Sequence, residues 1–319
     1  MSEINLFRIQ SGKATELPGK ASDLEKPLQI LIENNLETLL GVRFLASEHS
    51  TGKTHGGRID TLGIDEDNCP VILEYKRSKG ENVINQGLFY LDWLMDHKAE
   101  FELLVLKRYG SKVADAIDWA GPRLICIASD FTKYDGHAVQ QMNHSIELIR
   151  YKQFGTELLL LEQVNTVVSQ ALSSKSSGAS KAASGVKQAF TVPASTAATK
   201  QSSGDKTVAQ WFTTMSPELL ALFESLDGYV SSLGDDVSRK DLKLYVAFKR
   251  LRNFACVGFK KDAMFLWLKL NPETVALEQG FSRDVRQIGH WGTGDVEVLI
   301  KSHADLDKAK GLIQKAYEG

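Results

Sequence analysis

Residues 57–76 read GRIDTLGIDEDNCPVILEYK, two short segments of strand character that flank an acidic cluster. The first segment alternates polar and apolar residues, and the acidic cluster is typical of a turn before an apolar strand. Side chains two apart on a strand point to the same face, so we expect Glu74 and Lys76 to project together and Tyr75 to point the other way. The pattern predicts a hairpin that brings Asp60 beside Glu74.

Asp60, Glu74 and Lys76 are the groups that a metal-dependent phosphodiester hydrolase needs at one point. Two converging carboxylates offer hard oxygen ligands, which favour Mg²⁺ or Mn²⁺. A cross-strand Glu–Lys pair on a solvated face explains the same residues without chemistry. The flanking run 69–73 is almost entirely apolar, as in a strand covered on both faces. Charges at the end of such a strand are costly unless they are paired or bound to metal.

A helix predicted over residues 82–96 places Gln86 and Tyr90 one turn apart on the same face. Together with Gly57-Arg58-Ile59-Asp60 and Glu74-Tyr75-Lys76, this order of motifs resembles the PD-(D/E)XK nuclease superfamily. Within it the motifs resemble the RecB-like type, and most closely the catalytic domain of NucS-type DNA endonucleases.

An upstream segment, Glu25-Lys26-Pro27-Leu28-Gln29, is similar to the helix start that supplies a further active-site carboxylate in that group. The resemblance covers about residues 20–165, and it lies in the order and spacing of the motifs. NucS-type enzymes carry a DNA-binding domain before the nuclease, whereas the predicted nuclease core here begins almost at the start of the chain. Their substrate preference is therefore not carried over.

The resemblance implies a Mg²⁺- or Mn²⁺-dependent DNA endonuclease that works as a homodimer. The implied metal ligands are Asp60, Glu74, the backbone carbonyl of Tyr75, and Glu25. Lys76 would orient the attacking water, and Gln86 and Tyr90 would contact the DNA backbone or brace Lys76. The basic residues expected near DNA phosphates in this domain are Arg58, Lys53, Arg77 and Lys79. Glu33 and Glu37 remain alternatives to Glu25, and a solvated helix face is the usual environment of any helical Glu.

The bulk composition is that of an ordinary globular protein, with 319 residues, 43% hydrophobic and 24% charged. This length suggests two domains. The net charge is −2, so any surface that attracts DNA must be local. The three cysteines are far apart in apolar segments, as expected for a reducing cytoplasm. The sequence predicts no signal peptide and no membrane span, hence no membrane partner.

The predicted organisation is an α/β (α+β) protein with a restriction-endonuclease-like core over 1–168, whose mixed sheet is flanked by helices. A Ser/Ala/Gly/Lys-rich flexible linker follows over 169–206, and a smaller α+β domain with an antiparallel sheet over 207–319. The predicted helices are 23–34 (with Ser22 or Asp23 as N-cap), 82–96, 101–107, 112–119, 217–226 and 305–317. The predicted strands are 4–9, 42–46, 58–62, 70–73, 123–128, 146–151, 157–161, 244–248, 254–259, 263–270 and 296–300.

The C-terminal domain resembles a small uncharacterised domain found in proteins catalogued as "predicted transport protein", mainly through the turn GHWGTGD at 289–295. Its one basic stretch, with interleaved aromatic residues, fits either a nucleic-acid surface or the polar face of a sheet. On the first interpretation Lys249, Arg250 and Arg252 contact DNA. The domain is expected to select the substrate or to bind a protein partner.

The segment Ser50-Thr51-Gly52-Lys53-Thr54 imitates the end of a phosphate-binding P-loop, but the earlier glycine of that motif is replaced by Ser47. We therefore expect no nucleotide hydrolysis and interpret the segment as a basic loop beside the active site. Two other functions remain open at this stage. One is a catalytically inactive nuclease fold that binds nucleic acid or protein, and the other is an accessory of a transport system.

Overall fold

A computed structural model describes residues 4–21, 25–76, 83–142, 144–164 and 206–319. These residues form a seven-stranded sheet, a six-stranded sheet and a separate two-stranded hairpin. We call residues 4–164 the N-terminal unit and residues 206–319 the C-terminal unit. Both units mix helices with sheet, as the sequence predicts.

The N-terminal unit contains nine strands and seven helices within the described residues. The strands are β1 (Leu6–Gln10), β2 (Lys13–Leu17), β3 (Gly19–Lys20), β4 (Val42–Ser50), β5 (Arg58–Asp65), β6 (Pro70–Lys76), β7 (Arg123–Ala128), β8 (Ser145–Phe154) and β9 (Leu158–Gln163). The helices are α1 (Glu25–Asn34), α2 (Leu36–Leu40), α3 (Gly52–His55), α4 (Val83–Asp96), α5 (Lys98–Tyr109), α6 (Ser111–Ala114) and α7 (Lys133–Gln141).

The seven-stranded sheet has the order β3-β8-β7-β6-β5-β4, and β9 pairs with β8. The pairs β4–β5 and β5–β6 are antiparallel, whereas the pairs β6–β7 and β7–β8 are parallel, so the sheet is mixed. The central strand β7 is buried along its whole length. Its apolar sequence follows from this position, because helices cover both faces of the sheet.

Helices lie on both faces of this sheet. On one face α1 buries Leu28, and α2 buries Leu36, in the same cluster as Tyr75 of β6. On the other face α4 and α5 bury Trp93 and Phe101. Removing each such side chain from water contributes roughly 1.5–3 kcal/mol. The predicted mixed sheet between helices is confirmed.

The C-terminal unit is smaller, and its sheet is antiparallel, as predicted. Its helices are α8 (Val208–Thr214), α9 (Pro217–Ser231) and α10 (His303–Glu318), and a short 3₁₀ turn spans Pro272–Thr274. Its strands are β10 (Ser238–Asp241), β11 (Val246–Lys249), β12 (Asn253–Lys260), β13 (Ala263–Leu268), β14 (Ser282–Asp284) and β15 (Val296–Ile300). Their order is β10-β11-β12-β13-β15-β14. The helices bury one face of this sheet, and part of the other face contacts the N-terminal unit at Cys69.

Several predicted elements differ from those observed. The helix predicted over 112–119 ends at Ala114, because the amide of Asp118 donates to the carbonyl of Asn68 instead of to a helical partner. The segment expected to be a loop after β1 pairs with it as β2, outside the main sheet. Helices α7 and α8 were not predicted, although each begins with a capping box. The short strands β10 and β14 were also missed.

Two predictions fall on residues that the structure does not describe. The predicted N-cap, Ser22 or Asp23, lies outside the described residues, and so does the predicted linker apart from Lys206. In the part of the chain that is described, no helix has the length and apolar character needed to cross a bilayer.

Candidate active site

The structure brings Asp60 and Glu74 together on adjacent strands. Thr61 pairs with Leu73, so continuing the register by one residue places Asp60 opposite Glu74. The amide of Asp60 donates to Oε1 of Glu74 at 3.2 Å, and the amide of Tyr75 donates to Oδ2 of Asp60 at 3.0 Å. The Tyr75 ring packs on the opposite face, as predicted from the strand alternation. The two carboxylates therefore share one side of the sheet.

Burial makes this pair of carboxylates hard to ionise together. Glu74 is fully buried, and its burial, together with the charge of Asp60, raises its pKa to about 9. Burial also raises the pKa of Asp60, against the lowering effects of the Tyr75 amide and of Lys76. A carboxyl that holds its proton near neutral pH in a polar site is a common sign of a functional position. A cation placed between the two groups would favour their ionised forms.

One carboxylate oxygen of the Asp60–Glu74 pair is suited to bind a ligand. Oε2 of Glu74 is buried and has no hydrogen-bond partner within the described residues. Among those residues no group of three or more His, Cys, Asp or Glu side chains is arranged to hold a metal. The pair still suits Mg²⁺ or Mn²⁺, because Mg²⁺ is commonly held by one or two carboxylates and completes its shell with water and substrate phosphate.

Lys76 ends β6 on the same face as Glu74, and its side chain is only 17% exposed. Its ammonium lies 3.9 Å from Oε2 of Glu25, the first residue of α1. The predicted third carboxylate thus reaches the site over the end of the sheet. Its negative charge acts on Asp60. Glu25 pairs with Lys76, and it does not complete a three-carboxylate metal cluster within the described residues.

Gln86 and Tyr90 lie on α4, which packs over β6 and β7. The Tyr90 hydroxyl accepts a hydrogen bond from the amide of Arg58 at 3.2 Å, and Gln86 donates to the same hydroxyl at 3.4 Å. A Cβ added to Gly57 would lie 2.5 Å from the Tyr90 ring, so the chain passes this close only because residue 57 is glycine. Tyr90 therefore holds the start of β5.

Glu48 is a member of the site that the sequence did not reveal. Its carboxylate binds Arg58 at 2.5 Å and Lys26 at 2.6 Å. The hydrogen bond from Lys26, with the charges of Lys26 and Arg58, lowers the pKa of Glu48 despite partial burial. Glu48 also adopts φ of 53°, a strained value for a residue other than glycine. Arg58 remains 68% exposed, so its other donors can still reach a phosphate.

Gln29 has a structural role at this site that the sequence motif does not predict. It is buried on α1, and its amide nitrogen donates to the carbonyl of Asp60 at 2.8 Å. The same nitrogen contacts Glu33 at 2.9 Å and Ser47 at 3.2 Å. The available signal was a polar residue next to Leu28 on the apolar stripe of the helix, because buried polar groups need partners.

The two alternative carboxylates do not belong to this site. Glu33 accepts a hydrogen bond of 2.6 Å from the Thr61 hydroxyl. Thr61 contacts the Tyr75 hydroxyl, on the face of the sheet opposite to Asp60. Glu37 lies exposed on α2. Of the three candidates, the structure places Glu25 nearest to Lys76.

The basic residues predicted near DNA have different outcomes. Lys53 lies exposed in the short helix α3, and the loop around it closes where the amide of Gly57 donates to the Thr51 hydroxyl at 2.8 Å. The end of this loop, at Gly57, lies against the Tyr90 ring. Arg77 and Lys79 lie outside the described residues.

The prediction that Lys249 contacts DNA is wrong. Lys249 is buried, and its ammonium binds Glu147 of the N-terminal unit at 3.0 Å. Arg250 binds Asp236 within its own unit, and Arg252 is exposed. Contact of these two arginines with DNA stays a prediction.

Known proteins resemble both the C-terminal unit and the whole chain. Residues 208–319 match a family described as a domain of unknown function, DUF5655, and the expected transport association is not part of that description. An uncharacterised protein of Haemophilus influenzae is 29% identical over 324 residues, which cover 98% of this chain and 99% of that protein. The GHWGTGD turn lies within the matched family region, where His290 stacks on Trp267 at 5.2 Å.

Two solved structures also resemble part of the chain. A repair endonuclease from Pyrococcus abyssi is 21% identical with a TM-score of 0.26, and the match covers 41% of this chain and 50% of that one. An EndoMS complex with double-stranded DNA is 23% identical with a TM-score of 0.24, over 43% and 47%. This chain thus matches about half the length of each structure. Scores of this size are too low to assign a fold, so the architecture above rests on its own strands and helices.

Proposed function

We propose that this protein is a divalent-metal-dependent endodeoxyribonuclease that hydrolyses phosphodiester bonds at the Asp60–Glu74 pair. The main support is the buried Oε2 of Glu74, which has no hydrogen-bond partner within the described ranges, beside a second carboxylate and near the charge of Lys76. A structural ion pair would have satisfied this oxygen with a donor. The order of motifs found in the sequence supports the same chemistry.

The site would bind Mg²⁺ or Mn²⁺ through Asp60, Glu74 and the carbonyl of Tyr75, with Glu25 acting through water. The bound ion would polarise the scissile phosphate and lower the pKa of a water molecule. The ammonium of Lys76 would orient that water and offset negative charge as it develops on the phosphate. Lys76 is well placed for this, because it shares a face with Glu74 and is largely shielded from solvent.

The residues around the pair would position the DNA strand. Arg58 would bind a phosphate with the donors that Glu48 leaves free, and Lys53 would add charge in the adjacent loop. Tyr90, with Gln86, would keep the backbone of Arg58 fixed relative to the carboxylates. Fixed geometry matters because positioning the reactants can contribute several kcal/mol to catalysis.

The test is cleavage of a panel of flap, mismatched, single-stranded and modified DNA by the purified protein with Mn²⁺. We expect cleavage of at least one substrate by the wild type, and none by Asp60→Asn. Glu37→Gln is the matched control, because it removes an exposed acidic charge on α2 and should cleave normally. Equal cleavage by the wild type and Asp60→Asn would refute the proposal.

A second function is a nuclease-like fold that binds nucleic acid or protein without cutting it. One observation favours it: the described residues contain no cluster of three metal-ligating side chains. This function predicts DNA binding that is unchanged by chelator and no cleavage with either metal. The panel above therefore separates the two functions.

A further inference from the structure

The turn between β5 and β6 is the part of the site hairpin farthest from Asp60 and Glu74, and it is strongly acidic. Asp65, Glu66 and Asp67 follow one another, and Oδ1 of Asp65 accepts the amides of Asp67 and Cys69 at 2.9 and 2.8 Å. Asp65 and Asp67 are buried, and Glu66 is half-buried. Buried carboxylates need donors or opposite charges to be tolerated.

The C-terminal unit supplies those donors. The Tyr245 hydroxyl and the Asn253 side-chain amide both donate to Oδ1 of Asp67 at 2.7 Å. The backbone amide of Asn253 donates to Glu66 at 2.9 Å. A Cβ added to Gly41 would lie 2.6 Å from the same Glu66 carboxylate, so the turn is also tightly packed on its own side.

Buried charges from both units form one network beneath the turn. Arg123 at the start of β7 binds Asp65 at 2.9 Å and both oxygens of Glu147 at 2.7 and 2.9 Å. Lys249 of the C-terminal unit reaches the same Glu147, and Lys240 donates to the carbonyl of Gly121 at 3.3 Å and lies 4.0 Å from Asp65. Although burial opposes ionisation, Arg123 and Lys249 hold the pKa of Glu147 at about 2.

The C-terminal unit offsets negative charge that the N-terminal unit brings to this network. The N-terminal unit contributes four acidic groups, Asp65, Glu66, Asp67 and Glu147, and the basic group of Arg123. Lys240 and Lys249 add positive charge, and Tyr245 and Asn253 add hydrogen-bond donors. A chance contact between two surfaces would leave some of these buried charges without partners. A buried charge that lacks its partner is strongly destabilising.

We propose that the C-terminal unit is a docking domain for this acidic turn, and that its docking fixes the hairpin carrying Asp60 and Glu74. The ligand that its outer sheet face recognises is a carboxylate-rich β-turn. Five residues of β5, about 17 Å at the usual strand rise, separate the turn from Asp60. Because β5 and β6 are hydrogen-bonded to each other along this length, a turn held at one end restrains the carboxylates at the other. The docking does not depend on the proposed hydrolysis.

Hydrogen exchange on the full-length protein tests this inference without any need for catalysis. Tyr245→Phe removes only the hydroxyl that donates to Asp67. We expect exchange at the amides of Asp67 and Cys69 to rise at least about tenfold, and exchange at the Tyr75 amide, which binds Asp60, to rise in the same variant. The matched control is Tyr229→Phe, which removes a hydroxyl bonded to the Lys310 carbonyl inside the C-terminal unit. It should leave the hairpin amides unchanged.

Exchange rates at these hairpin amides that match the wild type in Tyr245→Phe would overturn the inference, as would an equal rise in both variants. A second measurement covers a variant that fails to fold. A protease recognition sequence is inserted within 165–205 of the otherwise wild-type protein, and the folded protein is cleaved and run on a sizing column. The two fragments should elute together at low micromolar concentration, and their separation would also overturn the inference.

Discussion

The backbone amide of Asp60 donates a hydrogen bond of 3.2 Å to Oε1 of Glu74, while the second oxygen of that carboxylate is buried and has no donor among the residues that the structure describes. One oxygen of the Glu74 carboxylate is therefore held by a hydrogen bond, and the other oxygen is available to bind a ligand. This asymmetry distinguishes the pair from Glu147, whose two oxygens are both bound by Arg123. The difference gives the following predictions.

Stability without metal should fall as the pH rises. The pKa of Glu74 is about 9 in the folded protein, against an ordinary value of 4.5 in the unfolded chain. Below pH 4.5 Glu74 holds its proton in both the folded and the unfolded protein, and its contribution to the free energy of unfolding is complete. As the pH rises from 4.5 towards 9, the unfolded chain releases the proton while the folded protein keeps it, so this contribution is lost. The free energy of unfolding should fall by up to about 1.4 kcal/mol per pH unit in this range. Urea denaturation in chelator from pH 5 to 9 measures this slope, and Glu74→Gln should flatten it. Parallel slopes for the two proteins would contradict the assignment.

Asp60→Asn should separate activity from stability. The amide keeps an oxygen that can accept from Tyr75, but it removes the charge that opposes ionisation of Glu74. We expect cleavage to fall by roughly 100-fold or more, since even indirect supports of a metal site are worth 10- to 100-fold. The melting temperature in chelator should rise above that of the wild type. A variant that is both inactive and less stable would point to a folding defect.

Gly57→Ala should disturb Tyr90. The added Cβ would lie 2.5 Å from the Tyr90 ring, so the ring or the strand must move. Overpacking of this kind costs about 1–3 kcal/mol, seen as a lower urea midpoint. Gly136→Ala in α7 is the control, because nothing lies within 4 Å of its Cβ and alanine favours a helix by about 0.5–1 kcal/mol. Equal tolerance of the two substitutions would count against the role of Tyr90.

Glu48→Gln should strengthen DNA binding. It releases Arg58 and Lys26 from their shared carboxylate and removes a negative charge from the expected phosphate path. Exposed ion pairs are worth up to about 1 kcal/mol, so affinity should improve by about two- to fivefold. Arg58→Ala should weaken binding and reduce the salt dependence by about one ion. Both are measured by fluorescence anisotropy in an Asp60→Asn background, and a weaker complex with Glu48→Gln would exclude this model of phosphate contact.

Much of the N-terminal unit could be predicted because its signals are local. An acidic turn between two strand-like segments determines the register of a hairpin, and register places Asp60 opposite Glu74. The buried strand β7 was found at its observed bounds because helices on both faces leave a continuous apolar run. The capping boxes of α7 and α8 were local signals too, and they were overlooked.

Other features depend on contacts between distant parts of the chain. Lys249 lies in a basic stretch, and charge alone does not distinguish a solvated lysine from one that binds Glu147, which is 102 residues away. Glu48 has a left-handed backbone, and its two basic partners lie on different elements, one on α1 and one on β5. No periodicity in the sequence records such a relationship.

The shared charges beneath the turn limit what a shortened protein can reveal. A fragment that stops before the C-terminal unit would lose the partners that this unit gives to Asp65, Glu66, Asp67 and Glu147, and would keep the Arg123 guanidinium among them. Repulsion between these carboxylates would disturb the structure at that end of the sheet. The fragment would therefore not reproduce the N-terminal unit of the full-length protein. Inactivity of such a fragment would report that damage and would say nothing about chemistry at the opposite end.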